Sequence, residues 1–424
     1  MKNVVVMFPY PSGAGLHMGH YYNYAIADSY CRWLRYEGET VLQPFGYDAF
    51  GLPAENYAKK VGGDPRTITY ENIGRFRTQM NRMDTLYREH LVTSDDSYVK
   101  WTQWLFTRLK EHGLAYKAFA PVNYCKSCET VLAKEQCGGG YCERCSTLIE
   151  TRTLNQWFFK MTAYKDRLLA ATDKLDYPTG TKNQQKTWLE NLHDWCVSRQ
   201  RKWGCPIPVE GETDTLDTFV DSSFYFLRYL TDSPDEFLPS GKYKPVDLYV
   251  GGSEHACMHL IYARFIHYFL YDIGVVPQEE PFNKVFHQGL ITKDGAKMGK
   301  SKGNAVNPDD YDPDELRMYL MFLGPYQDGG EWNDRGVVGI KRFFGRLARW
   351  VEQAKPDGTD IATDGLKETI SGYVRSFKVN KVVSSFMEFY NKNKDTVMSE
   401  KTRMHLLSML FCFAPGYDPK KYMV

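Results

Sequence analysis

The sequence contains no apolar stretch close to the roughly 20 residues that a membrane-spanning helix needs, although hydrophobic residues make up 43% of its 424 residues. It also lacks internal repeats and low-complexity tracts, which excludes repeat and fibrous architectures. Met1 and Lys2 lead into NVVVMF, an apolar segment of strand length that lacks the positively charged region and the small-residue cleavage site of a secretory signal. These absences predict a cytoplasmic globular protein, and the length predicts two to four domains.

Net charge is nearly absent as well, at +1, so the overall charge does not indicate a nucleic-acid partner. The charge is nevertheless uneven, because residues 335–424 contain 16 Lys/Arg and 9 Asp/Glu. Such a basic tail is one way to contact phosphates. A solvated helical face has the same composition and is the alternative interpretation.

Four of the ten cysteines form two C-x-x-C pairs, Cys125/Cys128 and Cys142/Cys145, with 13 residues between the pairs. This spacing is typical of a four-thiolate zinc ribbon, and a redox pair is the alternative. The six remaining cysteines are scattered along the chain. We predict that they are buried or free thiols in a reducing compartment.

Strand and helix signals alternate through most of the chain. Residues 4–8 predict a buried strand, followed by the turn PYPSGAG and a helix. Residues 246–252 predict a second buried strand, followed by a helix that would carry His255 and His259 on one face. Residues 82–114 are predicted to be helical, and the chain beyond about residue 335 is predicted to form amphipathic helices. This alternation predicts an α/β fold.

His17 and His20 stand three residues apart at the start of the first predicted helix, with Gly19 between them. Zinc-binding helices usually place histidines at i and i+4 together with a carboxylate, so the spacing argues against a metal. The N–H groups at a helix N-terminus favour an anion, and glycine lets the backbone approach a ligand closely. We therefore predict a phosphate site.

A second stretch, DGAKMGKSKGN at 294–304, strengthens this prediction. Lys297 and Lys300 lie in a Gly-flanked loop and are suited to clamp a polyphosphate during phosphoryl displacement. Taken alone, the stretch would be interpreted as a solvated basic surface loop.

Together the two stretches resemble the HIGH and KMSKS signatures of class I aminoacyl-tRNA synthetases. The resemblance covers nearly all of residues 1–350 and is closest to the leucyl enzymes. It implies a Rossmann-like core in two halves (1–117 and 151–330), an inserted zinc ribbon (118–150) and a partial anticodon-side helical bundle (331–424). The segments that carry it are MFPYPSGAGLHMGH (7–20), GYDAFGLPAEN (46–56), VNYCKSCETVLAKEQ (122–136), DWCVSRQRKWGCPIP (194–208), DTLDTFVDSSFYFLRY (214–229), VDLYVGGSEHACMHLIYARF (246–265) and HQGLITKDGAKMGKSKGN (287–304).

The resemblance implies ATP- and Mg²⁺-dependent activation of leucine and its transfer to tRNA(Leu) by a monomer with a structural Zn²⁺. His17, Gly19 and His20 would bind the ATP phosphates, and Lys297 and Lys300 would hold the departing pyrophosphate. Asp48 would accept the ammonium group of the amino acid. The adenosine site would be lined by Gly251, Gly252 and Glu254, and the leucine side chain would be surrounded by Phe8, Tyr10, Phe219, Tyr225, His255 and His259.

The sequence departs from the family pattern at three places. Gly299 replaces the serine of the KMSKS loop, which we expect to weaken activation without abolishing it. The family's editing domain is absent near residues 188–194, so we expect mischarging with norvaline, isoleucine or methionine. The helical bundle is curtailed. Two alternatives therefore remain open: a paralogue that passes the adenylate to a non-tRNA acceptor, and a catalytically silent binding paralogue.

Overall fold

The structure, a computed structural model, describes residues 1–11, 15–133, 136–299 and 303–422. Its strands are β1 (Lys2–Val6), β2 (Val41–Leu42), β3 (Pro44–Tyr47), β4 (Arg88–Val92), β5 (Ala115–Cys125), β6 (Thr130–Leu132), β7 (Cys137–Gly138), β8 (Tyr141–Cys142), β9 (Glu150–Phe159), β10 (Trp195–Cys196), β11 (Ser198–Arg199), β12 (Thr215–Leu216), β13 (Leu248–Gly252), β14 (Val285–Gln288), β15 (Leu290–Lys293), β16 (Ala296–Lys297) and β17 (Gly329–Glu331).

Its α-helices are α1 (Met18–Tyr36), α2 (Leu52–Val61), α3 (Pro65–Arg82), α4 (Asp96–Glu111), α5 (Lys165–Thr172), α6 (Thr179–Glu190), α7 (Thr218–Ser222), α8 (Tyr225–Arg228), α9 (His259–Asp272), α10 (Pro313–Phe322), α11 (Asp334–Glu352), α12 (Asp364–Arg375), α13 (Val379–Asn393) and α14 (Glu400–Leu410). The predicted α/β class is confirmed. Within the described ranges, no helix is both long and apolar enough to cross a bilayer.

A parallel sheet forms the centre of the molecule. β1 pairs with β2 on one side and with β13 on the other, and β14 lies beyond β13. β2 and β3 are separated only by Gln43, and β4 pairs in parallel with β3. If β2 and β3 count as one strand position, the sheet runs β4, β2/β3, β1, β13, β14. Numbered along the chain, these positions are 3-2-1-4-5, which is a Rossmann-like, doubly wound order. The order reverses between β1 and β13, and ligands of such sheets bind beside the carboxyl ends of the strands at that point.

The expectation of one helical segment over residues 82–114 is wrong in its first part, because α3 ends at Arg82 and α4 begins only at Asp96. β4 occupies Arg88–Val92, between α3 and α4. Only the last two residues of its REHLV segment are apolar, so the segment has no alternation that would reveal a strand. The pairing with β3, which is distant in the sequence, determines its conformation.

Between β4 and β13 the chain forms a second, antiparallel sheet in the order β10-β9-β5-β6. β5 and β9 pair from Ala115 opposite Phe159 to Tyr124 opposite Glu150, so they form a long ribbon. The paired cysteines lie at the far end of this ribbon, where β5 ends at Cys125.

The C-terminal helices share one hydrophobic core with the parallel sheet. Val4 of β1, Trp33 of α1, Val337 of α11 and Phe386 of α13 belong to the same buried cluster. Beyond residue 335 the chain forms α11, α12, α13 and α14, in agreement with the helices predicted there. This core fixes the C-terminal helices against α1, the helix that follows His17.

Candidate active site

Segments from three neighbouring strands meet at the carboxyl edge of the parallel sheet, where its order reverses. The backbone N–H of Met7, just after β1, donates to the carbonyl of Val250 in β13 (2.8 Å). The backbone N–H of Asp48, just after β3, donates to the carbonyl of Pro9 (3.0 Å). These bonds bring most of the predicted site residues to one edge of the sheet.

The two signature histidines cap α1 and stack on each other. Nδ1 of His17 accepts the backbone N–H of Gly19 (3.1 Å), and Nδ1 of His20 accepts the backbone N–H of His17 (3.2 Å). Their ring centroids are 3.7 Å apart. Because each Nδ1 accepts, the ring proton of each histidine is on Nε2. Burial, together with the neighbouring His17, lowers the pKa of His20 well below its usual range. The start of α1 thus offers two imidazole N–H donors beside the helix dipole.

Helix α3 supports the loop before these histidines, and the sequence analysis did not identify any of its residues. The side-chain amide of Asn72 donates to the carbonyl of Pro11 (3.1 Å), and Oε1 of Gln79 accepts the backbone N–H of Leu16 (2.7 Å). Asn72 and Gln79 are both buried and lie two turns apart on the same face of the helix. Buried amides at i and i+7 among apolar residues are the signal that could have revealed this support.

The predicted adenosine-site residues follow β13. A Cβ on Gly251 would lie 2.1 Å from the sulfur of Met7, so any larger residue would force the Met7 side chain to move. A Cβ on Gly252 would lie 2.1 Å from a carboxylate oxygen of Glu254, which folds back over this backbone. His287 of β14, which was not predicted, faces the carbonyl of Gly251 through Nδ1 (2.8 Å). Both glycines therefore serve close packing at the edge of the sheet.

Lys297 is an exposed residue of β16, paired with Thr292 of β15. The side chain of Asn304 closes the loop beyond it, since it donates to the carbonyl of Lys293 (2.9 Å) and accepts the N–H of Gly299 (2.9 Å). Lys300, the second predicted lysine, lies outside the described residues.

Asp48 is 1% exposed at the end of β3. Its Oδ1 accepts hydrogen bonds from the hydroxyl groups of Thr218 (3.2 Å) and Thr93 (3.4 Å). Burial raises the pKa of this carboxyl to about 8, and the negative charge of Asp217 contributes to the rise. Within the described ranges, no Lys or Arg forms an ion pair with Asp48. A cationic ligand is therefore what this carboxylate needs in order to ionise readily.

Apart from His255, the predicted leucine-contacting residues divide into three groups. Phe8 stacks on Tyr225 with ring centroids 3.8 Å apart, and the Tyr225 hydroxyl is 2.7 Å from that of Tyr249. The Tyr249 hydroxyl in turn meets Nε2 of His259 (2.6 Å). This first group is a buried aromatic wall linked by hydrogen bonds.

Phe219 and Tyr10 form the other two groups. Phe219 follows Thr218, the residue that donates to Asp48, and its ring lies 5.5 Å from that of Tyr262. Burial, and then the charge of Asp48, raises the pKa of Tyr10 well above its usual value. Both residues therefore lie on the Asp48 side of the site.

The expectation that His255 and His259 share one helical face is wrong. His255 ends a 3₁₀ turn, and α9 begins only at His259. Met258 between them has φ −120° and ψ −102°, which is not helical. The two rings still lie close, with centroids 6.3 Å apart and nearly perpendicular planes. The Gly-rich strand end is thus followed by a tight turn instead of a continuous helix.

Trp203 and Glu55, which the sequence analysis did not single out, hold the segment after Asp48. The indole N–H of Trp203 donates to the carbonyl of Ala49 (2.8 Å), and its ring lies 4.9 Å from that of Phe50. Buried Glu55 accepts the backbone N–H of Trp203 (2.9 Å) and pairs with Arg201 (2.8 Å). These contacts fix the backbone next to the buried carboxylate.

The four paired cysteines meet as the sequence predicts. Their sulfur atoms all lie within 4.8 Å of one another, and the Cys125–Cys145 and Cys128–Cys145 distances are 3.4 and 3.5 Å. A tetrahedral zinc with bonds of about 2.3 Å would separate its thiolates by roughly 3.8 Å, so the group fits. The cluster packs against Leu52 at the start of α2.

A cleft of about 1410 Å³ lies beside the predicted site residues and does not cover them. It runs between the antiparallel sheet and α6, and its walls include Val122, Phe158, Trp188 and Tyr262. Tyr262 also touches Phe219, so the cleft borders the amino-acid side of the site. No Lys or Arg is among its described lining residues.

A family model described as class I tRNA synthetases (M) matches residues 3–341. The leucine–tRNA ligase of Clostridium botulinum strain Langeland is 30% identical, with 99% of this chain and 85% of the relative covered. That of Clostridium perfringens strain ATCC 13124 is 32% identical, with 83% of this chain and 74% of the relative covered.

Solved structures match in fold. The agnB2 LeuRS of Agrobacterium radiobacter K84, in a ternary complex with tRNA and LeuAMS, has a TM-score of 0.89 at 24% identity, with 98% of this chain and 84% of that chain covered. A Mycobacterium tuberculosis methionyl-tRNA synthetase in complex with methionyl-adenylate has a TM-score of 0.77 at 21% identity, with coverages of 98% and 92%.

Proposed function

Because the chain belongs to the leucine–tRNA ligases of the class I tRNA synthetase family, we propose that it activates leucine with ATP and transfers the leucyl group to tRNA(Leu) in the cytoplasm, as a monomer. One observation carries the proposal. The start of α1, which can bind phosphate, and the buried carboxylate of Asp48, which can bind a cation, lie at the same edge of the sheet.

In the first step a carboxylate oxygen of leucine attacks the α-phosphorus of ATP, and pyrophosphate leaves. Asp48 would hold the leucine ammonium in a charge-assisted pair. The Nε2–H groups of His17 and His20 would donate to the phosphate oxygens on which negative charge grows. Lys297 and Lys300 would hold the pyrophosphate, and Mg²⁺ bound to ATP would supply counter-charge.

The remaining predicted residues bind and orient the substrates. Gly251 and Gly252 would let the adenosine lie against the end of β13, with Glu254 beside it. The wall formed by Phe8, Tyr225 and His259 would face the leucine side chain. In the second step a terminal ribose hydroxyl of tRNA attacks the leucyl carbonyl carbon and AMP leaves, so no covalent enzyme intermediate is needed.

The decisive experiment is the charging of total tRNA with labelled leucine and ATP, with a Lys297→Ala variant alongside. We expect leucyl-tRNA from the native enzyme and much less from the variant, which lacks one pyrophosphate contact. Leucine-dependent ATP–pyrophosphate exchange without charging would retain the first step and refute tRNA as the acceptor.

Zinc is proposed for the cluster of Cys125, Cys128, Cys142 and Cys145, where it would brace the end of the ribbon. We expect one zinc per chain by elemental analysis and none in Cys142→Ser. A native protein that contains no zinc, or whose melting temperature does not change when zinc is removed, would contradict this role.

We further propose that the enzyme does not edit. The alignment with the Langeland-strain relative extends over 692 positions, whereas this chain has 424 residues. At least 268 aligned positions of the relative therefore have no counterpart in this chain. The described backbone passes directly from α6 to β10. We expect norvalyl-tRNA to accumulate in the presence of norvaline, and its rapid hydrolysis by the purified enzyme would refute the proposal.

A second candidate function is transfer of the adenylate to a non-tRNA acceptor. The cleft beside Tyr262 favours it, because a wall without described Lys or Arg suits a neutral acceptor better than a polyphosphate chain. The test measures AMP release in the presence of tRNA, neutral amines or thiols. If only tRNA stimulates the release, this candidate is refuted.

A further inference from the structure

The helix start that the proposed function assigns to the ATP phosphates is joined, through the buried side chain of Gln79, to the segment that follows the lysine loop. Oε1 of Gln79 accepts the backbone N–H of Leu16 (2.7 Å), immediately before His17. Its Nε2 donates to Oδ2 of Asp309 (3.1 Å), in the segment that follows the lysine loop. Gln79 is 8% exposed, so its hydrogen bond to Leu16 is shielded from water, whereas the bond to Asp309 lies at the edge of the buried region.

The signature loop passes directly over this amide. Gly15 has φ +92°, a conformation that favours glycine, and a Cβ there would lie 2.7 Å from Oε1 of Gln79. Because an amide holds its oxygen and NH₂ group in one plane, fixing the oxygen on Leu16 also fixes the direction in which Nε2 points. The position of the first loop therefore determines the hydrogen bond offered to the second.

Asp309 also accepts hydrogen bonds from α1 and from α3. Its Oδ1 accepts from Nη1 of Arg82 (3.1 Å) and from the hydroxyl of Tyr21 (3.5 Å), the residue after His20. Arg82 also donates to the carbonyl of Tyr311 (2.7 Å). The segment beyond the lysine loop is thus held on α3 and α1 together.

We propose that Gln79 is a positioning residue that couples the two ATP-binding loops, so that the placement of the His17–His20 helix start and that of the lysine loop depend on each other. The inference rests on the proposed function for the identity of ATP as the ligand. Gln79 does not touch the reacting atoms; it acts through Leu16 and Asp309.

The test compares Gln79→Met with a matched control, Gln43→Met. Gln43 is also buried, also accepts one hydrogen bond at Oε1 (from Arg35, 2.7 Å) and also donates Nε2 to a carboxylate (Asp28, 2.8 Å), but it lies between β2 and β3. Melting temperature, ATP affinity by titration calorimetry without leucine, and KM for ATP and leucine in ATP–pyrophosphate exchange are measured for both variants.

We expect both variants to have a lower melting temperature than the native protein, because each leaves at least one buried partner without its hydrogen bond. Only Gln79→Met should weaken ATP binding and raise KM for ATP, by about tenfold, with KM for leucine within twofold of native. Gln79→Glu should have at least as large an effect, because it places a carboxylate against that of Asp309. Equal changes in the two KM values, or ATP affinity no weaker than in Gln43→Met, would overturn the proposal.

A double-mutant cycle tests the coupling itself. If Gln79 links the loops, Gln79→Met combined with Asp309→Ala should weaken ATP binding little more than the worse single variant does. Additive losses would show that Gln79 only supports Leu16, and would refute the coupling. Calorimetry with ATP alone gives this result even if the native enzyme fails to activate leucine, so failure of the proposed function and failure of this inference are separate outcomes.

Discussion

The nucleotide half of the site consists of backbone turns near the surface, whereas the amino-acid half consists of buried side chains from distant parts of the chain. His17, Gly19 and His20 are close in sequence, and two of their mutual hydrogen bonds span three residues or fewer. By contrast, Asp48 is 170 residues from its partner Thr218. The halves meet at the same sheet edge but are stabilised by different interactions.

This difference predicts different failures. A backbone-built anion site binds through N–H groups and a helix dipole, so single side chains contribute mainly as charge develops on the phosphate. A buried carboxylate has no substitute for its charge, so its loss removes most of the interaction at once. Loss of a phosphate-donating side chain from the first half should therefore lower the turnover, and loss of the carboxylate from the second should lower the affinity for leucine.

The largest expected effect is that of Asp48→Asn. Asparagine can keep the hydrogen bonds from Thr218 and Thr93 but cannot pair with an ammonium group, so kcat/KM for leucine should fall about 1000-fold. Exchange kinetics together with calorimetry for ATP will check this. If the affinity for ATP falls together with kcat/KM for leucine, the two halves of the site are not independent.

His17→Asn addresses the nucleotide half alone. Asparagine is a good N-cap and should preserve the start of α1, while the Nε2 donor is lost. We expect kcat for exchange to fall about 100-fold, with KM for leucine and the melting temperature nearly unchanged. A rise in KM for leucine with native kcat would place His17 in the other half.

The pH dependence should separate the halves without mutation. The Asp48 pKa is about 8 without ligand, and only the ionised carboxylate attracts the leucine ammonium, so leucine binding must displace a proton below that pH. KM for leucine should therefore fall about tenfold per unit as pH rises from 6 to 8 and then level off. KM for ATP should not follow this curve, and Asp48→Asn should abolish it.

The smallest effect is expected for Trp203→Phe. Phenylalanine can still pack against Phe50 but leaves the buried carbonyl of Ala49 without its donor, so KM for leucine should rise about fivefold. Trp104→Phe, on α4 beside Phe237, is the matched control and should leave KM unchanged. Equal changes in both variants would mean that Trp203 contributes only to stability.

The local half of this site was also the part that the sequence predicted best. Residues within one turn or one loop show their relation as spacing, which is why the pattern at His17–His20 and the cysteine pairs predicted their geometry. Other features depend on partners that are distant in the sequence. These are strand β4, the break between His255 and His259, and the supporting side chains of Gln79 and Trp203. Spacing carries no information about such partners, so these features required the fold.

The strand order also determines when the site can come into existence during synthesis. Val4 of β1 pairs with Leu248 of β13, so the central edge of the sheet stays unpaired until 244 further residues have been made. At about 5–20 residues per second this wait lasts roughly 12–50 s. Throughout that interval the nascent chain has an open, apolar β1 edge, and the ribosome and its attendant chaperones must keep that edge from pairing with other chains.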